Sequence, residues 1–187
     1  MQTPVQKALL LEYFTLLWNV IGCIVVIISA FKSSSVSLLG FGIDSVIEIF
    51  ASLVVVWQLK AINRNKEAAA MRLIGIAFLL LAFYLIIQSI LAKVHHSLVH
   101  PSLTAIMWLL ITAVVMLLLA YGKKRVGAVI NNPIVLKEAK VTVVDGLLAV
   151  FVLVGLLITK YIGWSWADIA TSLVLAAYSI KEGLQAL

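Results

Sequence analysis

The chain has 187 residues, of which 64% are hydrophobic and 12% charged, with a formal net charge of +6 and a mean hydropathy of +1.16. That usage excludes an ordinary soluble globular domain, in which about a quarter of the residues are charged. It does not point to nucleic acid either, because the Lys and Arg residues gather at the ends of apolar runs.

A helix that crosses a bilayer needs about 20 mostly apolar residues. Six such runs follow in chain order, near residues 8–31, 36–58, 70–92, 102–121, 136–159 and 164–185. Their connections are short and leave no room for a soluble catalytic or regulatory unit. The expected fold is all-α: one transmembrane domain over residues 1–187, a polytopic six-transmembrane-helix bundle.

The first run exceeds the roughly 7 to 15 apolar residues of a signal peptide and meets Lys32 and Ser33-Ser34-Ser35 without a small-x-small cleavage site. It is expected to stay in the mature protein. Glu12, near the cytoplasm, reads as an interfacial side chain, with lining of the inner mouth as the alternative, and Asn19 as an interhelical hydrogen-bonding group. Cys23 is the only cysteine, so neither an internal disulfide nor a thiolate cluster is available.

Mid-way along the second run stand Asp44 and Glu48. A carboxylate at bilayer depth costs roughly 2.5 to 3.5 kcal/mol on insertion scales, so such residues point to function. Four residues apart on a helix, the two share one face and could chelate one ion. Ser45, on a neighbouring face, could add an oxygen. In the third run Gln88 reads, like Asn19, as a hydrogen-bonding group. His95, His96 and His100 follow it; three imidazoles without a fourth ligand read as a solvated loop, with metal capture as the alternative.

Pro101 is assigned to the first turn of the fourth helix and Pro133 to that of the fifth, where a missing amide donor does no harm. Gly122 reads as the close of the fourth span, which puts Lys123, Lys124 and Arg125 in a loop. In the fifth run Glu138, Val141, Thr142 and Asp145 form one helical stripe. Asp145 matches Asp44 in depth, with no Lys or Arg at that level. Glu138, beside Lys137 and Lys140, is open between a solvated helix end and an entrance ligand. Tyr161, Trp164 and Trp166 mark an interfacial aromatic belt. Ser165 followed three residues later by Asp168 is a capping pattern for the sixth helix.

Lys7, Lys60, Arg64, Lys66, Arg72, Lys123, Lys124, Arg125, Lys137, Lys140 and Lys181 fall on one side of this arrangement, and Lys32, Lys93 and Lys160 on the other. The positive-inside rule then makes both termini cytoplasmic, which an even number of spans requires. Gly40, Gly42, Ala51, Gly146, Gly155, Ser172 and Ala176 would allow close helix approach. The acids in the second and fifth runs, which cross in opposite directions, are a faint echo of internal symmetry.

Gly40-Phe41-Gly42-Ile43-Asp44-Ser45-Val46-Ile47-Glu48, Glu138-Ala139-Lys140-Val141-Thr142-Val143-Val144-Asp145 and Trp164-Ser165-Trp166-Ala167-Asp168-Ile169-Ala170 resemble the second, fifth and sixth spans of the cation diffusion facilitator (cation efflux) family. The resemblance covers nearly the whole chain. It implies a metal site at Asp44, Glu48 and Asp145, with Glu138 nearer the cytoplasm. Val141 stands where the family has His or Asp, and Glu48 where it more often has Asp. The chain ends at Leu187, so the resemblance is to the transmembrane part, without the family's cytoplasmic C-terminal domain. The family's His-rich loop lies between spans four and five, which argues against equating it with His95, His96 and His100.

The functional expectation is a secondary transporter, not an enzyme, that exports a divalent transition-metal cation in exchange for protons through a mid-membrane carboxylate site. Zinc comes first by resemblance; manganese, cobalt and iron also suit an all-oxygen site with waters, and cadmium is a further candidate. No prosthetic group is expected. The partners are the metal ion, protons, the lipid bilayer and a second copy of the chain, with no nucleic acid, and a bacterial inner membrane is the expected location. The rival readings are a non-transporting membrane metal sensor or adaptor and an intramembrane aspartyl protease, the latter weakened because Gly40-x-Gly42-x-Asp44 lacks a contiguous Gly-Asp signature.

Overall fold

A chain in lipid must satisfy its backbone polar groups internally, which favours helices wherever long apolar runs occur. The computed structural model describes residues 3–60, 67–94, 99–164 and 166–186, and among them there is no strand. The helices are α1 (Pro4–Ser33), α2 (Val36–Lys60), α3 (Glu67–Val94), α4 (Leu103–Val129), α5 (Pro133–Ile162) and α6 (Trp166–Ala186). Five of them are long and apolar enough to cross a membrane. The sixth, α6, has 21 residues and a length of about 30 Å at 1.5 Å per residue, with Asp168, Lys181 and Glu182 lowering its apolar content. The molecule is thus an all-helical, polytopic membrane bundle.

Local sequence accounts for the helix starts. Thr3 caps α1 in a reciprocal box with Gln6: the Gln6 N–H donates to Thr3 Oγ1 at 3.3 Å and the Thr3 N–H to Gln6 Oε1 at 2.9 Å. Pro133 opens α5 as expected, and Asn132 Oδ1 accepts the Val135 N–H at 3.3 Å. Pro101 lies outside α4 instead of in its first turn, because Ser102 takes the cap position and accepts the Ala105 N–H at 3.1 Å.

The end of α4 also departs from the sequence expectation. The helix does not close at Gly122 but continues to Val129. Lys123, Lys124 and Arg125 are good helix formers, and Gly122 fits inside the helix because Leu11 of α1 packs over it. A Cβ there would come within 3.3 Å of the Leu11 side chain.

Helices α1, α2, α5 and α4 form a closed ring in which each packs on the next, while α3 and α6 pair with each other and join the ring through α2 and α5. The ring's interior is polar at several levels and the exterior of the bundle apolar, with Phe31, Leu118 and Phe83 among many exposed large hydrophobic side chains. Such an exterior suits lipid, where burying apolar surface between helices gains little and close packing and polar contacts hold the bundle. Ser89 of α3 and Ser172 of α6 share a 2.6 Å hydrogen bond. Gly155 lets α5 approach α6, since a Cβ there would strike the Thr171 side chain. Tyr161, Trp164 and Trp166 are exposed at the end of α5 and the start of α6, and Lys93 sits 4.8 Å from the Trp166 ring centre.

Candidate metal centre

Asp44 and Glu48 lie one turn apart on α2 and project into the ring, where Asp145 of α5 meets them. Each is buried, and the three offer carboxylate oxygens that all lie within 4.8 Å of one another. Three oxygens no more than 4.8 Å apart always leave some point within about 2.8 Å of all of them, so small side-chain rotations bring them to the roughly 2.0–2.2 Å of a zinc–carboxylate bond.

The donors around these oxygens are few. Asn19 of α1 donates from Nδ2 to Glu48 Oε2 at 3.0 Å. Asp44 Oδ1 and Glu48 Oε1 have no hydrogen-bond partner among the described residues. Leaving a buried polar atom unpaired costs about 1–3 kcal/mol, and more for a charged one. Oxygens left open toward one another in a dry interior form a site complementary to a cation. Ser45 does not extend it through its proton, because its hydroxyl donates to the Phe41 carbonyl at 3.1 Å. Val141, one turn before Asp145, offers no ligand atom.

Glu138 belongs to a different cluster. Its Oε1 lies 3.3 Å from Lys123 Nζ and accepts from Ser52 Oγ at 3.3 Å. It is buried, which overturns the solvated-end alternative. Lys123, counted from the sequence as a loop charge, is fully buried, with its Nζ 3.0 Å from Glu12 Oε2 and 3.3 Å from Thr142 Oγ1. Glu12 is therefore turned inward, in keeping with the alternative rather than the interfacial reading, and is one of the most deeply buried side chains in the bundle. Continuation of α4 past Gly122 is the physical reason, since it turns Lys123 inward toward two acids. An acid near one end of each of two spans was the available sequence signal, but the helix pairing that joins them was not legible there.

Asp168 also departs from expectation. Rather than capping α6, its carboxylate crosses to the start of α2, where it accepts the Val36 N–H at 2.9 Å and the hydroxyls of Ser35 and Ser37. Its predicted partner Ser165 lies outside the described residues, as do His95 and His96. His100 is exposed, and its backbone N–H donates to the Ser33 carbonyl at 2.9 Å.

The cation efflux transmembrane domain matches this sequence over residues 13–187. The chain belongs to the cation efflux family. The match places it among transporters of metal cations and makes it an integral, multi-pass membrane protein. A search of curated proteins returns no match. In this cation efflux domain, α2 and α5 carry the three converging carboxylates, and α1 supplies the amide that orients one of them.

Proposed function

We propose that this protein exports a divalent transition-metal cation through Asp44, Glu48 and Asp145 in exchange for protons. The observation that carries the reading is the convergence of three buried carboxylates, two of whose oxygens have no other partner. Zinc is the first candidate because of the family, manganese, cobalt and iron are compatible with an all-oxygen donor set completed by water, and cadmium is a further candidate.

The chemistry is competition for the same oxygens. A metal ion binds the deprotonated carboxylates and expels their protons, and protons entering from the opposite face displace the metal in turn. Alternating exposure of the site to the two faces converts that competition into exchange. Asn19 holds Glu48 in place through the 3.0 Å hydrogen bond. No covalent step is needed.

The exposed cations Lys7, Lys124, Arg125, Lys140 and Lys181 lie toward the ends that the positive-inside rule makes cytoplasmic, so both termini face the cytoplasm in this reading. The bacterial inner membrane is the matching location. The functional unit is a homodimer, associated within the bilayer through apolar faces.

Metal flux into proteoliposomes, measured with a panel of zinc, manganese, cobalt, iron and cadmium and with or without an imposed pH gradient, tests the proposal. Transport should depend on the gradient and vanish in the Asp44→Ala, Asp145→Ala double variant. Metal binding without flux would turn the reading to a sensor or adaptor. Unchanged flux in the double variant would reject the site.

A further inference from the structure

Glu12, Lys123 and Glu138 form a second charged layer that transport through the first site does not by itself require. Three helices supply it: α1, α4 and α5, with Ser52 of α2 donating to Glu138 Oε1 at 3.3 Å. Lys123 Nζ stands among Glu12 Oε2 at 3.0 Å, Glu138 Oε1 at 3.3 Å and Thr142 Oγ1 at 3.3 Å. The charges do not balance, for two carboxylates face one ammonium. Glu12 is fully buried, and its Oε1 has no hydrogen-bond partner among the described residues.

The layer lies in line with the carboxylate cluster. Glu12 precedes Asn19 by seven residues on α1, and Glu138 precedes Asp145 by seven on α5. Seven residues are close to two helical turns, or about 10.5 Å of rise. On α2, which runs the other way, Ser52 follows Glu48 by one turn. The same ring of helices thus presents oxygens to a cation at two successive depths, and at the second depth the cation is a tethered lysine.

We propose that Glu12, Glu138 and Thr142 form a second divalent-cation site, filled in this conformer by the Lys123 ammonium and vacated by it when the cargo passes. The inference rests on the transport reading for its purpose, although not for its chemistry. An ammonium and a divalent ion seek the same oxygens; an ion at 2.0–2.6 Å would draw in the shell that Lys123 now holds at hydrogen-bond distance. A lysine that must leave before an ion enters also prevents the path from standing open to both faces at once.

The test is the number of zinc ions held per chain by the full-length protein in detergent, measured by equilibrium dialysis and elemental analysis. Lys123→Ala should hold one ion more than the wild type, and adding Glu12→Gln and Glu138→Gln should remove that ion again. Lys123→Gln, which keeps a side-chain donor for the carboxylates, serves if the alanine variant does not fold. In an Asp44→Asn, Asp145→Asn background every count should drop by one, while the gain from Lys123→Ala persists. If neither Lys123 variant, monodisperse and helical by circular dichroism, gains an ion, the second site is wrong. If the gain is seen but the Asp44→Asn, Asp145→Asn background loses nothing, the second site stands and the carboxylate-cluster reading fails.

Discussion

The carboxylate of Asp168, at the start of α6, accepts the backbone N–H of Val36, the first residue of α2, at 2.9 Å. The first turn of a helix has amides without intrahelical partners, and α2 has its own cap in Ser35, whose hydroxyl accepts the Leu38 N–H at 3.1 Å. Asp168 adds a charged acceptor for Val36, Ser35 and Ser37 from another helix. A negative charge at that end also complements the α2 dipole. The helix that begins under this carboxylate carries Asp44 eight residues later, so α6 fixes the placement of a ligand it does not touch.

Asp168→Ala should lower the stability of the folded bundle by about 1–3 kcal/mol, the effect of stranding buried donors. Asp168→Asn, which retains one acceptor oxygen, should recover part of the loss. Thermal unfolding in detergent, followed by circular dichroism, measures both. Equal midpoints for Asp168→Ala and wild type would show that the α2 terminus needs only Ser35.

Single substitutions Asp44→Asn, Glu48→Gln and Asp145→Asn should each weaken metal binding by more than the roughly 10–100-fold typical of losing a group that merely orients a ligand. Titration calorimetry with zinc gives the affinities, and proteoliposome flux should fall in the same order. An isosteric amide that bound as tightly as the carboxylate would remove that residue from the ligand set.

Asn19→Leu removes the amide that holds Glu48 Oε2 at 3.0 Å while leaving all three carboxylates. Binding should weaken by about 10–100-fold, less than on loss of a ligand. The comparison with Glu48→Gln in one titration series checks the ranking. Weaker binding in Asn19→Leu than in Glu48→Gln would make Asn19 itself a ligand.

The pH dependence follows from linkage. Metal binds the proton-free carboxylates, so acid competes and affinity must fall as pH is lowered through their titration. Each proton displaced changes the apparent Kd by about tenfold per pH unit. Calorimetry in buffers of different ionisation enthalpy counts the protons released. Binding that released none, with a Kd flat in pH, would leave metal uptake uncoupled from protons.

Apolar runs located all six helices, and for the five long and apolar enough to cross a membrane the need to satisfy backbone groups in lipid makes such a run a helix whatever its neighbours. It also put Asp44 and Glu48 on one face, since spacing along a single helix is a local property. Asp145 carried the same signal at the same depth, and the family motifs tied the two helices together. The chain did not reveal by itself the partners of Lys123, Glu12 and Asp168. A lysine just past Gly122 reads the same whether it snorkels to headgroups or turns inward, and an acid three residues after Ser165 reads as a local cap. Those outcomes depend on which helices meet and at what depth, and only packing in three dimensions brings Lys123 between Glu12 and Glu138 or carries Asp168 to the start of α2. Burial then makes each choice decisive, because a charge withdrawn from water must find its counterpart in whatever helix lies opposite.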